Sequence, residues 1–512
     1  MQIEIPIQHD VWMRNGVENL FRLIEDIDGC SVKIENNSLK IETSDHKKFL
    51  RNFENRIKQR QDEIIFIKKT DDKGQMKYVK KDFILMQYGK ASGGRNILKE
   101  KIYSQTEKRL NEIFSNLEEG NKTCVICGRK FKKPVDKLKQ SVYPFVTKIK
   151  SLSGVRTLKE NYDNLCPMCY LIGTLEWLDE GIIYRSLLGG GQTYSIVFLP
   201  FEFDVEKLHE SKKEYIEILG ANRDSQVSNL LKIIKTRGEE RRVGYEGEFT
   251  TILKFFEKFV EKILGEYREE EIELDELLEK VERRLCKSWI LVKVPGQRSM
   301  VKNVKYQRLD LKDEILELIT KFERKKLFIY NNVIDKIGIK AQGLSPQQKN
   351  KIISEKKESM AKYVLKNNFR NFSRVFLPKK NKVIYFGDLR DLDELIKLWR
   401  LRKMGLESEV ENLKSAGKCL AILIKNHLSI LYSMDKARTK EEFIRALEQA
   451  SKRLVGLVDK KRVEIYPPSL ETVTDSIIKS DGDKWQTIRD VLLIYTIISL
   501  SRIEYKERGD KK

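Results

Sequence analysis

Two cysteine pairs, Cys124-Val-Ile-Cys127 and Cys166-Pro-Met-Cys169, are the residues of this chain best placed to do chemistry. Each Cys-x-x-Cys can present two thiolates to one ion. Together Cys124, Cys127, Cys166 and Cys169 complete a tetrahedral four-sulfur site for zinc. Gly128 follows the first pair, where a residue without a Cβ lets backbone N–H groups turn toward sulfur, and Pro167 stiffens the second turn. The stretch from Gly128 to Leu165 is longer than a compact zinc ribbon needs, so the metal is expected to tie together two ends of an inserted subdomain. A structural ion is the favoured reading, because a catalytic zinc keeps an open position and uses His or carboxylate ligands. The rivals are a redox dithiol, which two matched pairs fit poorly, and pairs that bind nothing. Of the seven cysteines, the remaining Cys30, Cys286 and Cys419 read as small buried hydrophobes.

Other reactive constellations are not visible. The Walker pattern is missing, and Gly189-Gly190-Gly191 reads as a turn with close backbone packing rather than a phosphate loop. Four histidines, His9, His46, His209 and His427, are scattered singly. His9-Asp10 resembles a metal-binding dyad but lacks the further ligands two metals need, so His9 is read as ordering the turn after the first strand. Glu269-Glu270-Glu271 reads as a solvated helical face. The sequence therefore argues for binding over catalysis, and no enzyme is expected.

The elements that must position the cysteines form an α+β chain. Residues 1–120 show short strands at Ile3–Ile7, Ser31–Glu35, Leu39–Glu42 and Glu63–Lys68, with helical spacing in Val17–Ile27 and His46–Gln61. Asp71-Asp72-Lys73-Gly74 reads as a hairpin turn completed by a strand from Met76 to Tyr88. The basic loop Gly89–Asn96 then opens a helix to about Leu117. The four-cysteine zinc module occupies 121–178, and a strand from Tyr194 to Pro200 should return to the core sheet. Residues 179–386 are mixed α/β and basic: helical and charged from Lys207 to Arg284, then a hairpin over Leu291–Tyr306 with Pro295-Gly296-Gln297-Arg298 as its turn. Helices resume at Lys312, after which Ala341–Asn350 reads as a loop. Beyond Gly387 only helices are expected, in four stretches: Asp388–Lys403, Ser408–Met434, Lys440–Val458 and Leu470–Tyr505. Their apolar stripes, Leu389, Leu392, Leu395, Ile396 and Trp399 in one and Phe443, Leu447, Leu454 and Val458 in another, make 387–512 a helical bundle.

The 512 residues are enough for roughly three domains. Lys and Arg outnumber Asp and Glu by 99 to 77, a net charge of +22, which points to a polyanionic partner. The longest apolar run, Val491–Ser501, is far short of the roughly 20 residues of a membrane helix, and the start of the chain has no signal-peptide core. No membrane partner is expected. A reducing cytoplasm, where thiolates are available to zinc, is the consistent compartment.

Two Cys-x-x-Cys motifs separated by an insert in a large basic α/β chain resemble the CXXC-CXXC subgroup of CRISPR-associated proteins, the large subunits of type I Cascade effector complexes of the I-A and I-B kind. The segment Trp12-Met13-Arg14-Asn15-Gly16-Val17-Glu18-Asn19-Leu20 is similar to the subgroup's N-terminus, where a Trp and a small Asn-Gly turn precede the first helix. The likeness covers roughly residues 1 to 200. It implies a noncatalytic subunit that recognises the protospacer-adjacent motif in duplex DNA, helps separate the strands and recruits a helicase-nuclease or other effector. The implied partners are crRNA, target double-stranded DNA, and the backbone, 5′-handle-binding and small subunits; the C-terminal bundle corresponds to a small-subunit-like domain. Chemistry suggests the DNA contacts: Lys90, Arg95 and Asn96 in a glycine-containing loop, Gln297, Arg298 and Lys302 at a turn, and Lys397 and Arg400 on a helix flanked by Arg402 and Lys403. The alternatives are a zinc-stapled DNA-processing enzyme with a dispersed acidic site, and an adaptor whose charge serves solubility.

Overall fold

The computed structural model describes residues 2–509 apart from 8–9, 36, 71–75, 81–105, 136–137, 139–141, 144–163, 190–191, 221–232, 237–238, 243–246, 268–271, 296–304, 342–343, 379–381, 387–389, 425–426 and 462–466. The fold is α+β, with small sheets mostly in the N-terminal half and helices alone beyond Phe386 among the described residues. Contacts divide the chain into two compact units, one of residues 1–243 and 271–310, the other of 244–270 and 311–512.

In the first unit β1 (Gln2–Pro6), β2 (Cys30–Glu35) and β3 (Ser38–Thr43) form an antiparallel sheet in the order β1-β3-β2. Alternation buries Ile3, Ile5, Leu39 and Ile41. The β2–β3 hairpin closes at Glu35↔Ser38 with Asn37 at φ 58°, the left-handed backbone that two-residue hairpins require. Between β1 and β2 runs α1 (Val11–Ile24). It starts earlier than the apolar spacing suggests, because Asp10 caps it by accepting the Met13 N–H at 3.0 Å.

The helix α2 (His46–Ile65) runs directly into β4 (Phe66–Thr70), which pairs with β5 (Met76–Lys80) as the expected hairpin. Glu63–Ile65, read as strand, thus belong to the helix. After α3 (Thr106–Ser115) come the two-residue strands β6 (Lys122–Thr123) and β7 (Lys130–Phe131), then α4 (Pro167–Leu175). The strand β8 (Ile183–Gly189) turns back into β9 (Gln192–Phe201), with Gly189 opposite Gln192. After α5 (Val205–Gly220), β10 (Ile233–Thr236) and β11 (Glu239–Arg242) make a hairpin where a continuous helical pattern was expected. The β-branched run Ile233-Ile234 favours strand over the charge pattern that suggested helix. Then α6 (Leu274–Arg284) leads to β12 (Ser288–Pro295) and β13 (Lys305–Asp310). These last strands pair antiparallel as the expected basic hairpin does, but over Ser288–Lys293 and Lys305–Asp310 rather than within Leu291–Tyr306, and with β9 and β8 they form a sheet in the order β13-β12-β9-β8. Its turn, Pro295 apart, lies outside the described residues.

The second unit is built on helices. The expected stretch Ser408–Met434 is two helices, Val410–Ile424 and Leu428–Lys436, and Leu470–Tyr505 divides into Pro467–Lys479 and Lys484–Gly509. Gly482 at φ 54° makes the second break. Val491–Leu500 is buried almost throughout, because the last helix packs against both Val410–Ile424 and Pro467–Lys479. The predicted stripe residues Leu392, Leu395, Ile396, Trp399, Phe443 and Leu447 are all buried, whereas the side chains of Leu389, Leu454 and Val458 lie outside the described set. Among the described residues no helix is long and apolar enough to cross a membrane.

One carboxylate of this unit sets a pH dependence. Glu257, buried on the helix Glu248–Glu266, accepts the Tyr330 N–H at 3.1 Å. Burial pushes its carboxyl up to about 8, against the amides of Tyr330 and Ile329. Below pH 4.5 the group is protonated in both folded and unfolded chains; between 4.5 and about 8 only the unfolded chain ionises it, so stability falls as pH rises through that window. Glu257→Gln keeps a neutral acceptor and is expected to raise the denaturation midpoint at pH 8 while leaving it nearly unchanged at pH 4.5, as urea titrations at both pH values will show.

Candidate metal centre

The two cysteine pairs, 42 residues apart at Cys124 and Cys166, meet in the core of the first unit. The first sits on a turn between β6 and β7. Cys124 N–H donates to the Arg129 carbonyl and Gly128 N–H to the Cys124 carbonyl, both at 2.9 Å. Gly128 adopts φ 71°, a left-handed turn that a Cβ would strain, but its N–H goes to the Cys124 carbonyl rather than to sulfur as expected. The second pair opens α4: Cys166 is its N-cap, Pro167 fills the first turn, and the Cys166 sulfur accepts the Cys169 N–H at 3.4 Å. The Cys166 N–H in turn donates to the Cys124 sulfur at 3.4 Å.

The four sulfurs lie within 4.8 Å of one another, and those of Cys127 and Cys166 are 3.7 Å apart. A tetrahedron of thiolates about 2.3 Å from a zinc ion has edges of about 3.8 Å. Cys124, Cys166 and Cys169 are buried and Cys127 half-buried, so the donor set fits a metal ion enclosed by the protein. Hydrogen bonds from Cys127, Cys166 and Cys169 hold the Cys124 thiol below its usual range, while those same contacts among sulfurs, then burial, push Cys169 well above it. A cation among them would allow every sulfur to ionise. Cys286 and Cys419 are buried elsewhere, as expected of small hydrophobes, and Cys30 is half-buried.

The helix α1 forms one wall of this centre. Met13, Ile5 and Ile172 line a small apolar cavity against Cys127, Cys166 and Cys169. Trp12 donates through Nε1 to the carbonyls of Val142 at 2.8 Å and Gly173 at 3.2 Å and packs 4.8 Å from the Trp177 ring. Arg129, beside Cys127, donates to the Glu4 carbonyl at 2.8 Å and pins the first turn to β1. The Asn15-Gly16 pair, expected as a turn ahead of the first helix, lies inside α1 instead. Gly16 is there because α1 crosses α4 closely: a Cβ would come within 2.6 Å of the Ile172 side chain. Gly16→Ala is expected to cost about 1–3 kcal/mol of stability, measurable as a lower thermal midpoint, and to speed the loss to a chelator of any metal ion held by the four cysteines.

Sequence reasoning missed a buried charge network on the same helix. Glu18 pairs with Arg22 at 2.6 Å and Lys212 at 2.9 Å, and His209 Nδ1 lies 3.0 Å from it. Arg22 and Lys212 both also engage Asp179, in the segment that follows α4. The side chains of Glu18, Asp179 and Lys212 are fully buried. Asn15 and Asn19 donate to the carbonyls of Pro200 and Leu175, each at 2.9 Å. The network ties α1, the cysteine-bearing segment and α5 together. The spacing Asn15, Glu18, Asn19, Arg22 is visible in the sequence, but a solvated helix face gives the same spacing.

Of the expected DNA contacts, Lys90, Arg95, Asn96, Gln297, Arg298 and Lys302 lie outside the described residues. Arg400 is half-buried in the second unit; it donates to the Asn367 carbonyl at 3.3 Å and lies 5.7 Å over the Phe369 ring. Lys397 is half-buried on the same turn, whereas Arg402 and Lys403 are more exposed and sit near Glu407 and Glu317. His9 and Glu269–Glu271 are outside the described residues, and Asp10 serves as a helix cap that also accepts the Tyr143 hydroxyl at 2.6 Å. Compared with known proteins, the chain matches no family model, no curated protein and no solved structure.

Proposed function

We propose that this chain is the noncatalytic large subunit of a crRNA-guided type I CRISPR surveillance complex, stapled by a structural zinc ion. The observation that carries the reading is the convergence of two distant Cys-x-x-Cys pairs on one enclosed four-sulfur site, within a chain of net charge +22. Four thiolates fill a tetrahedral zinc and leave no position for a reacting water, so such a centre holds the fold rather than performing chemistry. The cationic excess supplies phosphate affinity independent of sequence, and a few loops supply contacts to base edges. In this reading the protein works in the cytoplasm with crRNA, backbone, 5′-handle-binding and small subunits. It recognises the protospacer-adjacent motif in target duplex, aids strand separation and recruits the downstream effector.

Base reading is assigned to Arg95 and Asn96, the side chains suited to guanine and adenine edges, with Gln297, Arg298 and Lys302 as a second contact and Lys90, Lys397 and Arg400 toward phosphate. The test is a competition assay of the assembled complex against duplexes differing only in the flanking motif. Arg95→Ala combined with Asn96→Ala is expected to abolish discrimination while leaving salt-dependent binding in place. Unchanged motif preference in the double variant would refute the assignment.

A further inference from the structure

Among the described Phe, Tyr and Trp side chains only two are well exposed, Phe203 at 64% and Tyr306 at 70%, and both belong to the first unit. Tyr306 and Arg308 are two residues apart on β13, the edge strand, and so share a face of the sheet. Tyr306 stands opposite Val292 and Arg308 opposite Ile290, while Ser288 lies between Asp310 and Phe201. The Arg308 guanidinium reaches across β12 to lie 5.3 Å over the Phe201 ring. Phe201 meets Phe203 at 5.0 Å, and Arg14 lies 5.5 Å over Phe203. Rings and guanidinium planes therefore continue from Arg308 through Phe201 to Phe203, with Tyr306 two residues before Arg308 on the same face of the edge strand.

The row is held in place. Arg308 is fixed by Asp310 at 2.7 Å and by the Ser288 hydroxyl at 3.3 Å. The buried Arg14 donates to the carbonyls of Glu202 and Phe203, so the segment that displays Phe203 is clamped although its ring is exposed. A protein partner would be expected to find a pocket for an apolar anchor. Here the rings alternate with Arg308, Asp310 and Ser288, polar groups at the rim of a sheet face whose centre, Val292, Val197 and Leu199, is buried in the core.

We propose that Tyr306, Arg308, Phe201 and Phe203 form a stacking platform for two or three bases of single-stranded nucleic acid. Every base has a π-face, so such a row binds with little regard to sequence, and stacking does not consult the sugar, so DNA and RNA are held alike. The chain's cationic excess suits this occupant. The inference rests on the nucleic-acid-binding reading above and adds a location and a strand state to it.

The test measures affinity of the full chain for a fluorescent oligodeoxynucleotide, the RNA of the same sequence and the corresponding DNA duplex. The variants are Tyr306→Ala, Phe203→Ala, both together, and Tyr306→Phe. Each alanine is expected to weaken both single strands at least about fivefold, the pair more, and Tyr306→Phe to restore binding. The slope of log affinity against log salt should not change, since no charge is removed, and duplex affinity should hold. If the parent chain binds single strands and the alanine variants bind them equally well, the platform is wrong while the wider reading survives. Binding of duplex alone overturns the platform in the same way, as does loss of a protein subunit from the assembled complex with oligonucleotide affinity intact. A parent chain that binds no nucleic acid overturns both.

Discussion

Cys166→Ser is expected to abolish metal binding at the four-sulfur site and to unfold the first unit. Cys166 gives its sulfur to the centre and caps α4 with it; a serine hydroxyl can still accept the Cys169 N–H and the backbone N–H toward Cys124 is kept, so the substitution removes the ligand while sparing the helix cap. Structural zinc contributes about 10–16 kcal/mol in small zinc domains, comparable with the whole stability of an ordinary domain. The expected result is a fall in zinc content from one per chain to none, and loss of the first unit's cooperative melting transition. The helical circular dichroism of residues 390–509 should persist, and a chelator acting on the parent protein should reproduce the effect. Cys419→Ser, buried but far in sequence from the centre, should retain the metal.

The second large effect is expected at Lys212. Lys212→Met keeps the length of the side chain but leaves Glu18 and Asp179 buried with only Arg22 between them, and breaking a buried pair in this way costs about 3–5 kcal/mol. By contrast Arg283→Ala, which removes an exposed partner of Glu279, should change stability by less than about 1 kcal/mol. The network also predicts acid sensitivity. Burial alone would raise the Glu18 carboxyl, but Arg22, Lys212 and the hydrogen bond with His209 hold it below the usual range. A carboxylate lowered in the folded state contributes stability above its unfolded value of 4.5, and that contribution is lost as pH falls below it. Urea unfolding at pH 7 and pH 4 should show the parent losing more stability than Glu18→Gln over that interval. Equal losses would mean that Glu18 is not the group responsible.

The features legible in the sequence were those whose signal is local. The cysteine pairs announce a shared ion through residue type and spacing, and the alternation of Ile3 and Ile5 or of Leu39 and Ile41 announces strands. The helical C-terminal region follows from stripes such as Leu392, Leu395, Ile396 and Trp399. Long-range partners were harder to read. Asn15-Gly16 has the composition of a turn, yet it lies within α1 because Ile172 approaches the Gly16 backbone there. Glu18 and Arg22 have the spacing of a solvated face, and only Asp179 and Lys212, brought from far along the chain, turn that face inward. The β10–β11 hairpin was hidden by surrounding charge that favours a helical reading. The proposed platform left no pattern, since Phe201 and Phe203 on one segment and Arg308 on another meet only through the β12 register.

The central claim, a crRNA-guided assembly subunit, is tested most directly by co-expressing the chain with its genomic neighbours, purifying it by a tag and sequencing the RNA that comes with it. A uniform guide RNA recovered together with repeated backbone subunits is the predicted result. Recovery of the chain alone, or with heterogeneous RNA and no backbone subunits, would contradict it.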